Sequence, residues 1–368
     1  MKALVLSVRA GYGHHSTGQA VMRELEQRGF VCEMLDTFEY INPHLANSIS
    51  DGYLFSTKYL SEAYGKAYSL LDKREERYGR RSLMTILSKI VSNKLKEYFD
   101  DYQPDIVIGT HSYACLLMTY LQEKGIITCK TYGIITDFTV HPFWESTGID
   151  YYVTPDALLN QQMGKKGIPE EKILPYGIPI KEKFYQKQNQ KEARKALGIK
   201  DKTTVLVMMG SMGFGNMEKN LRALDTLKLD FQILCVCGNN EKMKCSLEEI
   251  EWSKSVYVYG FVDNVDVMMD ASDCIITKPG GLTTSEFMAK GLPAIILNPI
   301  PGQEERNMEF LVNNGAAMMV TPTFPIDEAV YELLKYPWRV ELLKESVARL
   351  GKPDATKRLC DFMIEHRE

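Results

Sequence analysis

Two successive series of short apolar runs, joined by helical patterns, constrain the fold of this chain more than any other feature. Uninterrupted apolar runs of this kind are typical of parallel strands that are buried on both faces of a sheet. The chain is therefore predicted to be α/β, with two Rossmann-like parallel-sheet domains that face each other across a cleft. The runs span 4–8, 31–36, 105–110, 131–136, 150–154 and 173–177, and then 204–210, 231–238, 255–261, 273–277, 293–298 and 316–320.

A polar and charged stretch separates the two series and marks the predicted domain boundary. We assign residues 1–180 to an N-terminal domain, 181–200 to a linker and 201–345 to a C-terminal domain. A total of 368 residues suits two domains of ordinary size. Residues 346–368 are predicted to form a helix that packs back towards the N-terminal domain, and a helical insertion at about 38–100 interrupts the first series.

Composition narrows the classes of partner. The net charge of −4 gives no general attraction to nucleic acid, so no nucleic-acid partner is expected. No apolar run approaches the roughly 20 residues that span a bilayer, and the first apolar stretch ends at a glycine loop rather than at a cleavage site. The eight cysteines are scattered along the chain, and we expect them to be reduced thiols. These features predict a cytoplasmic protein.

Three glycine-rich loops follow strands, at the places where open parallel sheets bind ligands. In the third loop, Gly280 and Gly281 allow backbone amides to approach a diphosphate, and Glu286 lies one helical turn further on, where it can bind a ribose. A tight turn with a solvated acid is the alternative for each residue alone, but together they favour a nucleotide site. The loops span 9–16, 210–215 and 277–286, and the third adds the hydroxyls of Thr283 and Thr284.

The first loop also invites a dinucleotide-binding interpretation, since Asp36 ends the next predicted strand. Ser16 replaces the third glycine of that pattern, however, and His14 and His15 occupy the place where a pyrophosphate would meet bare backbone. A dehydrogenase is therefore disfavoured.

Polar side chains are grouped just after the run 293–298, where they suit the vicinal hydroxyls of a sugar: Gln303, Glu304, Glu305 and Asn307. A capped, solvated helix start is the alternative. No Asp-x-Asp triplet ends a strand, so neither a metal nor any other cofactor is expected. A leaving diphosphate would then be stabilised by helix N-termini and hydroxyls alone.

Several of these stretches resemble one known family. Residues 280–293, 298–307 and 136–144, together with the shorter Gly-x-Gly-His of the first loop, resemble the monogalactosyldiacylglycerol synthases and processive diacylglycerol glucosyltransferases of glycosyltransferase family 28. The resemblance implies the GT-B fold and inverting, metal-independent transfer of a hexose. The donor would be UDP-glucose or UDP-galactose, a co-substrate held by the C-terminal domain. The acceptor would be a lipid, with diacylglycerol expected, held by the N-terminal domain.

With the glycine loops, the resemblance assigns individual roles. His14 would be the base that deprotonates the acceptor hydroxyl, and Asp137 a second catalytic residue. Tyr12 stands where the family has a small residue, and His15 follows, so the identity of the acting imidazole is open; motif position favours His14. Acceptor contacts would come from Tyr12, His141 and Trp144. Nucleotide-sugar contacts would come from Gly13, Gly210, Ser211, Phe261, Val262, Gly280, Gly281, Thr283, Thr284, Glu286, Gln303, Glu304 and Glu305.

An imidazole suits the proposed proton transfer, because its ordinary pKa is close to neutral. A histidine near a helix N-terminus would also tend to stay neutral, which is the form a base needs. The alternative for His14 is a structural loop histidine.

The insertion carries the residues that favour a lipid surface. Segment 53–71 is rich in tyrosine and leucine, and segment 73–96 has eight basic residues against two acidic ones. We expect residues 53–96 to contact an anionic membrane, which would place the protein peripherally at its cytoplasmic face. A helical lid with a solvated basic face is the alternative.

Other functions on the same fold stay open. A UDP-GlcNAc-using enzyme, either an epimerase or a transferase to a different acceptor, would keep the nucleotide site. A non-enzymatic sugar-nucleotide-binding subunit is less consistent with a chain that carries both His14 and the loop of Glu286.

Overall fold

The computed structural model describes residues 1–8, 12–41, 93–210 and 216–366. Of the predicted site residues, Ser211 lies outside these ranges, as does most of the predicted membrane-facing segment 53–96. The chain divides into two compact units. The first comprises Met1–Lys181, Ile300–Gln303 and Asp354–Glu368, and the second comprises Glu182–Pro299 and Glu304–Pro353.

The first unit is built on a six-stranded sheet in the order β2-β1-β3-β4-β5-β6. All neighbouring strands are parallel. Continuous burial along β1 and β3 explains why these strands have no polar alternation. The strands are β1 (Lys2–Ser7), β2 (Val31–Asp36), β3 (Ile106–Gly109), β4 (Lys130–Ile134), β5 (Tyr151–Val153) and β6 (Ile173–Leu174).

Within the described residues of this unit, five helices precede or connect the strands. They are α1 (Tyr12–Gln27), α2 (Thr37–Ile41), α3 (Asn93–Tyr102), α4 (Ser112–Glu123) and α5 (Asn160–Lys165). Helix α1 begins three residues before the predicted position of about 15, so His14 lies in its first turn rather than in a loop.

The second unit contains another six-stranded parallel sheet, in the order β12-β11-β10-β7-β8-β9. The first strand, β7, lies between β8 and β10, which is the doubly wound arrangement of a Rossmann sheet. The strands are β7 (Thr204–Met208), β8 (Gln232–Val236), β9 (Val256–Tyr259), β10 (Cys274–Thr277), β11 (Ala294–Ile296) and β12 (Ala317–Met319).

The helices of the second half follow in chain order. Pro337 lies at the start of α13, where a missing backbone N–H is tolerated. The helices are α6 (Gln190–Ala196), α7 (Met217–Asp225), α8 (Glu241–Glu248), α9 (Val265–Ala271), α10 (Gly281–Lys290), α11 (Gln303–Asn313), α12 (Ile326–Lys335), α13 (Pro337–Leu350) and α14 (Ala355–Glu365).

The last helix, α14, belongs to the first unit and packs against α1. Leu359 and Met363 of α14 share a buried cluster with Val21 and Leu25 of α1. At the edge of this contact, Arg28 Nη1 lies 2.5 Å from Asp361 Oδ1. Helices α1 and α14 therefore contribute to one core.

Residues 182–200, which the sequence assigns to a linker, lie in the second unit. Arg194 of α6 is buried there, and its guanidinium donates to Ala271 O at 3.0 Å and pairs with Asp273 at 2.8 Å. The charge of Arg194 led us to predict an exposed linker, whereas its guanidinium in fact holds α6 next to α9.

Candidate functional site

Each sheet has a topological switch point, where successive connections leave to opposite sides of one strand and open a crevice at the strand ends. In the first unit, β1 is flanked by β2 and β3. Helix α1 follows β1, and α4 follows β3. The switch point therefore brings the start of α1, with its histidine pair, next to the carboxyl end of β3.

His14 is held in one orientation at this crevice. Its Nδ1 lies 2.8 Å from the carbonyl oxygen of Thr110 and 2.9 Å from Oγ1 of Thr136. Since a carbonyl oxygen can only accept, Nδ1 carries the proton and donates it to Thr110. The second ring nitrogen, Nε2, consequently keeps a lone pair that can take a proton from another group.

The surroundings of His14 favour the neutral ring. Burial lowers the pKa of the imidazole and outweighs two opposing effects, the negative charge of Asp137 and the hydrogen bond to Thr110, both of which raise it. The side chain is nevertheless partly exposed, so an incoming group can reach it. His14 thus has the protonation state and the accessibility of a base.

Two further histidines lie in this unit, and His111 interacts electrostatically with both His14 and His141. His111 contacts it edge-on, with ring centroids 4.6 Å apart, and its Nδ1 caps α4 by accepting from the N–H of Tyr113 at 3.1 Å. His141 accepts similarly from the N–H of Phe143 at 3.1 Å. Burial lowers the pKa of His111 well below its usual value and lowers that of His141 to about 4. Both rings are therefore neutral near pH 7.

Asp137 follows β4 and accepts a hydrogen bond from Nε2 of Gln303 at 2.5 Å. Residues 300–303 belong to the first unit, so this bond lies within that unit. The carboxylate of Asp137 also interacts electrostatically with His14 and raises the pKa of its ring. The structure thus brings together three residues that the sequence placed in separate motifs.

Trp144 and Tyr12 were predicted to contact an acceptor, and both predictions stay untested. Trp144 is only 4% exposed. A Cβ at Gly133 would lie 3.0 Å from Cζ3 of Trp144, which shows how tightly the indole packs beneath β4. Tyr12 begins α1, directly before Gly13. In the stretch around Trp144, His141 and Phe143 are the more accessible aromatic side chains.

The second switch point lies between β7 and β10, where Gly210 and Lys278 meet. Gly210 follows β7 with φ +76, a left-handed conformation that favours glycine. A Cβ built there would lie 4.0 Å from Cε of Lys278, so the lysine stem reaches across from the end of β10.

Helix α10 starts at this crevice without a capping side chain. Gly280 is its N-cap in an extended conformation, and no side-chain hydrogen bond closes the first turn. The first backbone N–H groups therefore point outward with the positive end of the helix dipole. Oε1 of Glu304 lies 3.9 Å from a Cβ built at Gly280, so a carboxylate stands beside this helix end. The arrangement suits an anion.

The predicted hydroxyl and carboxyl ligands on α10 differ in accessibility. Thr283 is partly exposed, whereas Thr284 is fully buried. Among the described residues, Thr284 Oγ1 has no hydrogen-bond partner. Glu286 is 9% exposed. Thr283 is therefore better placed than Thr284 to meet a ligand.

Two comparisons with known families decide the class of protein. Residues 14–180 match the model described as monogalactosyldiacylglycerol synthase. Residues 204–359 match the C-terminal domain of glycosyltransferase family 28. The chain belongs to glycosyltransferase family 28, in its monogalactosyldiacylglycerol synthase group.

One curated relative agrees with this assignment, and two solved structures agree with the fold. The glycosyltransferase is 28% identical over 369 residues to a processive diacylglycerol beta-glucosyltransferase of Bacillus licheniformis, covering 99% of this chain and 95% of the relative. MurG of Acinetobacter baumannii superposes with a TM-score of 0.63 at 16% identity, covering 99% of both chains. The UDP-GlcNAc 2-epimerase of Neisseria meningitidis does so with a TM-score of 0.58 at 15% identity, covering 100% of both. The predicted GT-B fold, family and enzyme class are confirmed.

Phe261 and Val262 of the glycosyltransferase lie just beyond β9, three strands from β10, after which α10 begins. Three strand spacings correspond to roughly 14 Å. Phe261 is 61% exposed, an unusual position for a large aromatic side chain, whereas Val262 is partly exposed. An exposed ring at this distance from the α10 N-terminus can stack on a base.

The prediction that Asn307 grips sugar hydroxyls is wrong. Asn307 is fully buried, and its Nδ2 donates to the carbonyl oxygen of Pro279 at 2.9 Å. Asn307 therefore stabilises the loop before α10 from the protein interior. Glu305, by contrast, is exposed.

Two residues of the glycosyltransferase site were missed in the sequence. Lys278 is the one basic residue in the third glycine loop, and its Nζ lies 3.3 Å from Oε1 and 3.4 Å from Oε2 of Glu304. His111 lies two residues after the end of β3, the strand that pairs with β1, and this position is the signal that could have revealed it. The expectation that helix N-termini and hydroxyls alone meet a diphosphate therefore omitted a nearby cation.

Proposed function

We propose that this glycosyltransferase moves a hexose, glucose or galactose, from a UDP-sugar to the hydroxyl of diacylglycerol, with inversion at the anomeric carbon. The observation that carries the proposal is the bond from His14 Nδ1 to Thr110 O, which leaves Nε2 as a proton acceptor. The names of the matching family model and of the Bacillus licheniformis relative support the choice of acceptor.

In the proposed reaction, the acceptor oxygen attacks the anomeric carbon from the face opposite UDP. The new C–O bond forms as the bond to the diphosphate breaks, and the electron pair leaves with UDP. Nε2 of His14 takes the acceptor proton. The resulting imidazolium is stabilised by the negative charge of Asp137, which raises the pKa of the ring. No metal takes part in the proposed step.

The donor is proposed to bind the second unit. The diphosphate would lie at the uncapped start of α10, against Gly280, Gly281 and Thr283, and Glu286 would bind the ribose. The exposed ring of Phe261, with Val262, would contact the uracil. Glu304 and Glu305 of the same unit would contact the hexose.

Membrane contact forms part of the proposal, because the acceptor is a lipid. We assign it to residues 53–96, and to the cytoplasmic face of the membrane; residues 53–92 lie outside the described ranges. Among the helices that the structure does describe, none is long and apolar enough to cross a bilayer.

A donor panel tests the proposed reaction. The protein is incubated with UDP-glucose, UDP-galactose or UDP-GlcNAc and mixed micelles of diacylglycerol, and lipids and nucleotides are analysed by mass spectrometry and chromatography. We expect hexosyl-diacylglycerol and an equal amount of UDP from glucose or galactose. A changed nucleotide sugar without UDP release or lipid product would instead establish an epimerase and contradict the proposal.

The pH profile of transfer tests the role of His14. Because burial lowers its pKa below the ordinary value of 6.5, more than half of the His14 rings are neutral, and competent as a base, at that pH. We expect kcat/KM to fall on acidification with a midpoint below pH 6.5. Since Asp137 raises the pKa, Asp137→Asn should move this midpoint to still lower pH. A midpoint above pH 6.5, or one that does not move in Asp137→Asn, would contradict this role.

A further inference from the structure

Lys278 occupies the centre of the second switch point. It directly follows β10, and its side chain is only 10% exposed. A Cβ built at Gly210, which follows β7, would lie 4.0 Å from Cε of Lys278. The ammonium group contacts both carboxylate oxygens of Glu304. The lysine is thus packed into the crevice rather than extended into solvent.

A cation is electrostatically unfavourable at this place unless an anion accompanies it. The first turn of α10 has no capping side chain, so its free N–H groups already give this region positive character. Adding an ammonium group increases the repulsion. The carboxylate of Glu304, which lies 3.9 Å from the Cβ position at Gly280, balances both positive groups.

Glu304 is also stabilised by its own helix. It lies in the first turn of α11, where the helix dipole favours a carboxylate. The carboxylate does not depend on Lys278, whereas Lys278 depends on an anion. A ligand anion could therefore replace Glu304 beside Lys278 at little electrostatic loss.

We propose that Lys278 is the residue that binds and neutralises the diphosphate of the donor, and that the Glu304 carboxylate pairs with Lys278 before the donor binds. On binding, a phosphoryl oxygen replaces the carboxylate beside the ammonium group, and the released carboxylate turns to the hexose hydroxyls. When the anomeric C–O bond breaks, its electron pair goes to the diphosphate, whose added negative charge is stabilised by Lys278. This inference rests on the proposed function and deepens it.

Calorimetric titrations with UDP and with uridine test the binding role of Lys278. Lys278→Met should weaken UDP binding by about 10- to 100-fold, as expected for loss of a charge-assisted contact, and should leave uridine binding within about twofold. Lys278→Arg should retain most of the UDP affinity. Lys344→Met, which removes an exposed charge from α13 of the same unit, is the matched control and should change neither.

Glu304→Gln tests the exchange independently of the lysine variant. It removes the competing carboxylate, so UDP affinity should rise by about 3- to 10-fold. Transfer from the intact UDP-sugar should fall, because the hexose contact is lost. A glutamate that only contacts the sugar would leave UDP affinity unchanged.

The outcomes separate this inference from the proposed function. If the wild-type protein binds UDP but Lys278→Met binds it equally well, or loses UDP and uridine together, the assignment to Lys278 is overturned. Unchanged or weaker UDP binding in Glu304→Gln would overturn the exchange even if Lys278→Met failed to fold. A wild-type protein that binds no UDP would refute the proposed function itself.

Discussion

Replacing His14 by alanine is expected to lower kcat/KM for sugar transfer by about 10²- to 10⁴-fold, the usual contribution of a general base. The ring is fixed by its Nδ1 bond to Thr110 and is kept neutral by burial, and the variant loses this oriented proton acceptor. UDP affinity should remain within about twofold, because the proposed nucleotide site lies in the second unit. Initial rates with saturating donor and calorimetry with UDP measure the two quantities.

His15→Ala is the matched control for this variant, since it removes the adjacent imidazole from the same helix. We expect it to retain transfer within about tenfold. Turnover near that of the wild-type protein in His14→Ala, with a large loss in His15→Ala, would reverse the assignment. Near-normal turnover in both variants would remove imidazole catalysis from the mechanism.

Replacing Lys290 by methionine is expected to destabilise the second unit by about 3–5 kcal/mol, the usual effect of leaving one buried charge without its partner. Lys290 Nζ lies 2.6 Å from Oδ2 of Asp270, and the two side chains are 1% and 4% exposed. The ammonium also donates to the carbonyl oxygen of Gln186. In the variant, the Asp270 carboxylate would keep the N–H of Gln188, at 3.2 Å, and lose its counter-charge.

Denaturation in urea, followed by circular dichroism, measures this loss as a shift of the unfolding midpoint. The double variant Lys290→Met with Asp270→Leu removes both charges and should recover much of the stability. Lys344→Met should shift the free energy of unfolding by less than about 0.5 kcal/mol, as expected at an exposed position. A loss below about 1 kcal/mol in Lys290→Met would show that the pair is not a main support of this unit.

The apolar runs were sufficient to predict the strands, because burial on both faces leaves an uninterrupted pattern that turns and helices do not share. The location of the candidate sites followed from the same pattern, since helices that start after β1 and β10 must open at the strand ends. His14 and the loop of Gly280 could thus be proposed from local sequence alone.

Side-chain direction could not be predicted in the same way. Thr283 and Thr284 are adjacent in sequence, but successive residues of a helix point about 100° apart, so one is partly exposed and the other is enclosed. Asn307 was predicted to be a sugar ligand because its actual partner, Pro279, lies 28 positions away in the sequence and could not be recognised from neighbouring residues. The pairing of Lys278 with Glu304 spans 26 positions. Such long-range partners can be identified only from the folded structure.

The contact between α1 and α14 supports the proposed base at a distance. Val21 and Leu25 lie on the same helix as His14, about two and three turns further on, and Leu359 and Met363 of α14 share their buried cluster. A variant that lacks α14 would keep every proposed ligand residue, but it would expose this face of α1 to water. The position of the imidazole therefore depends on a helix that contributes no group to the reaction.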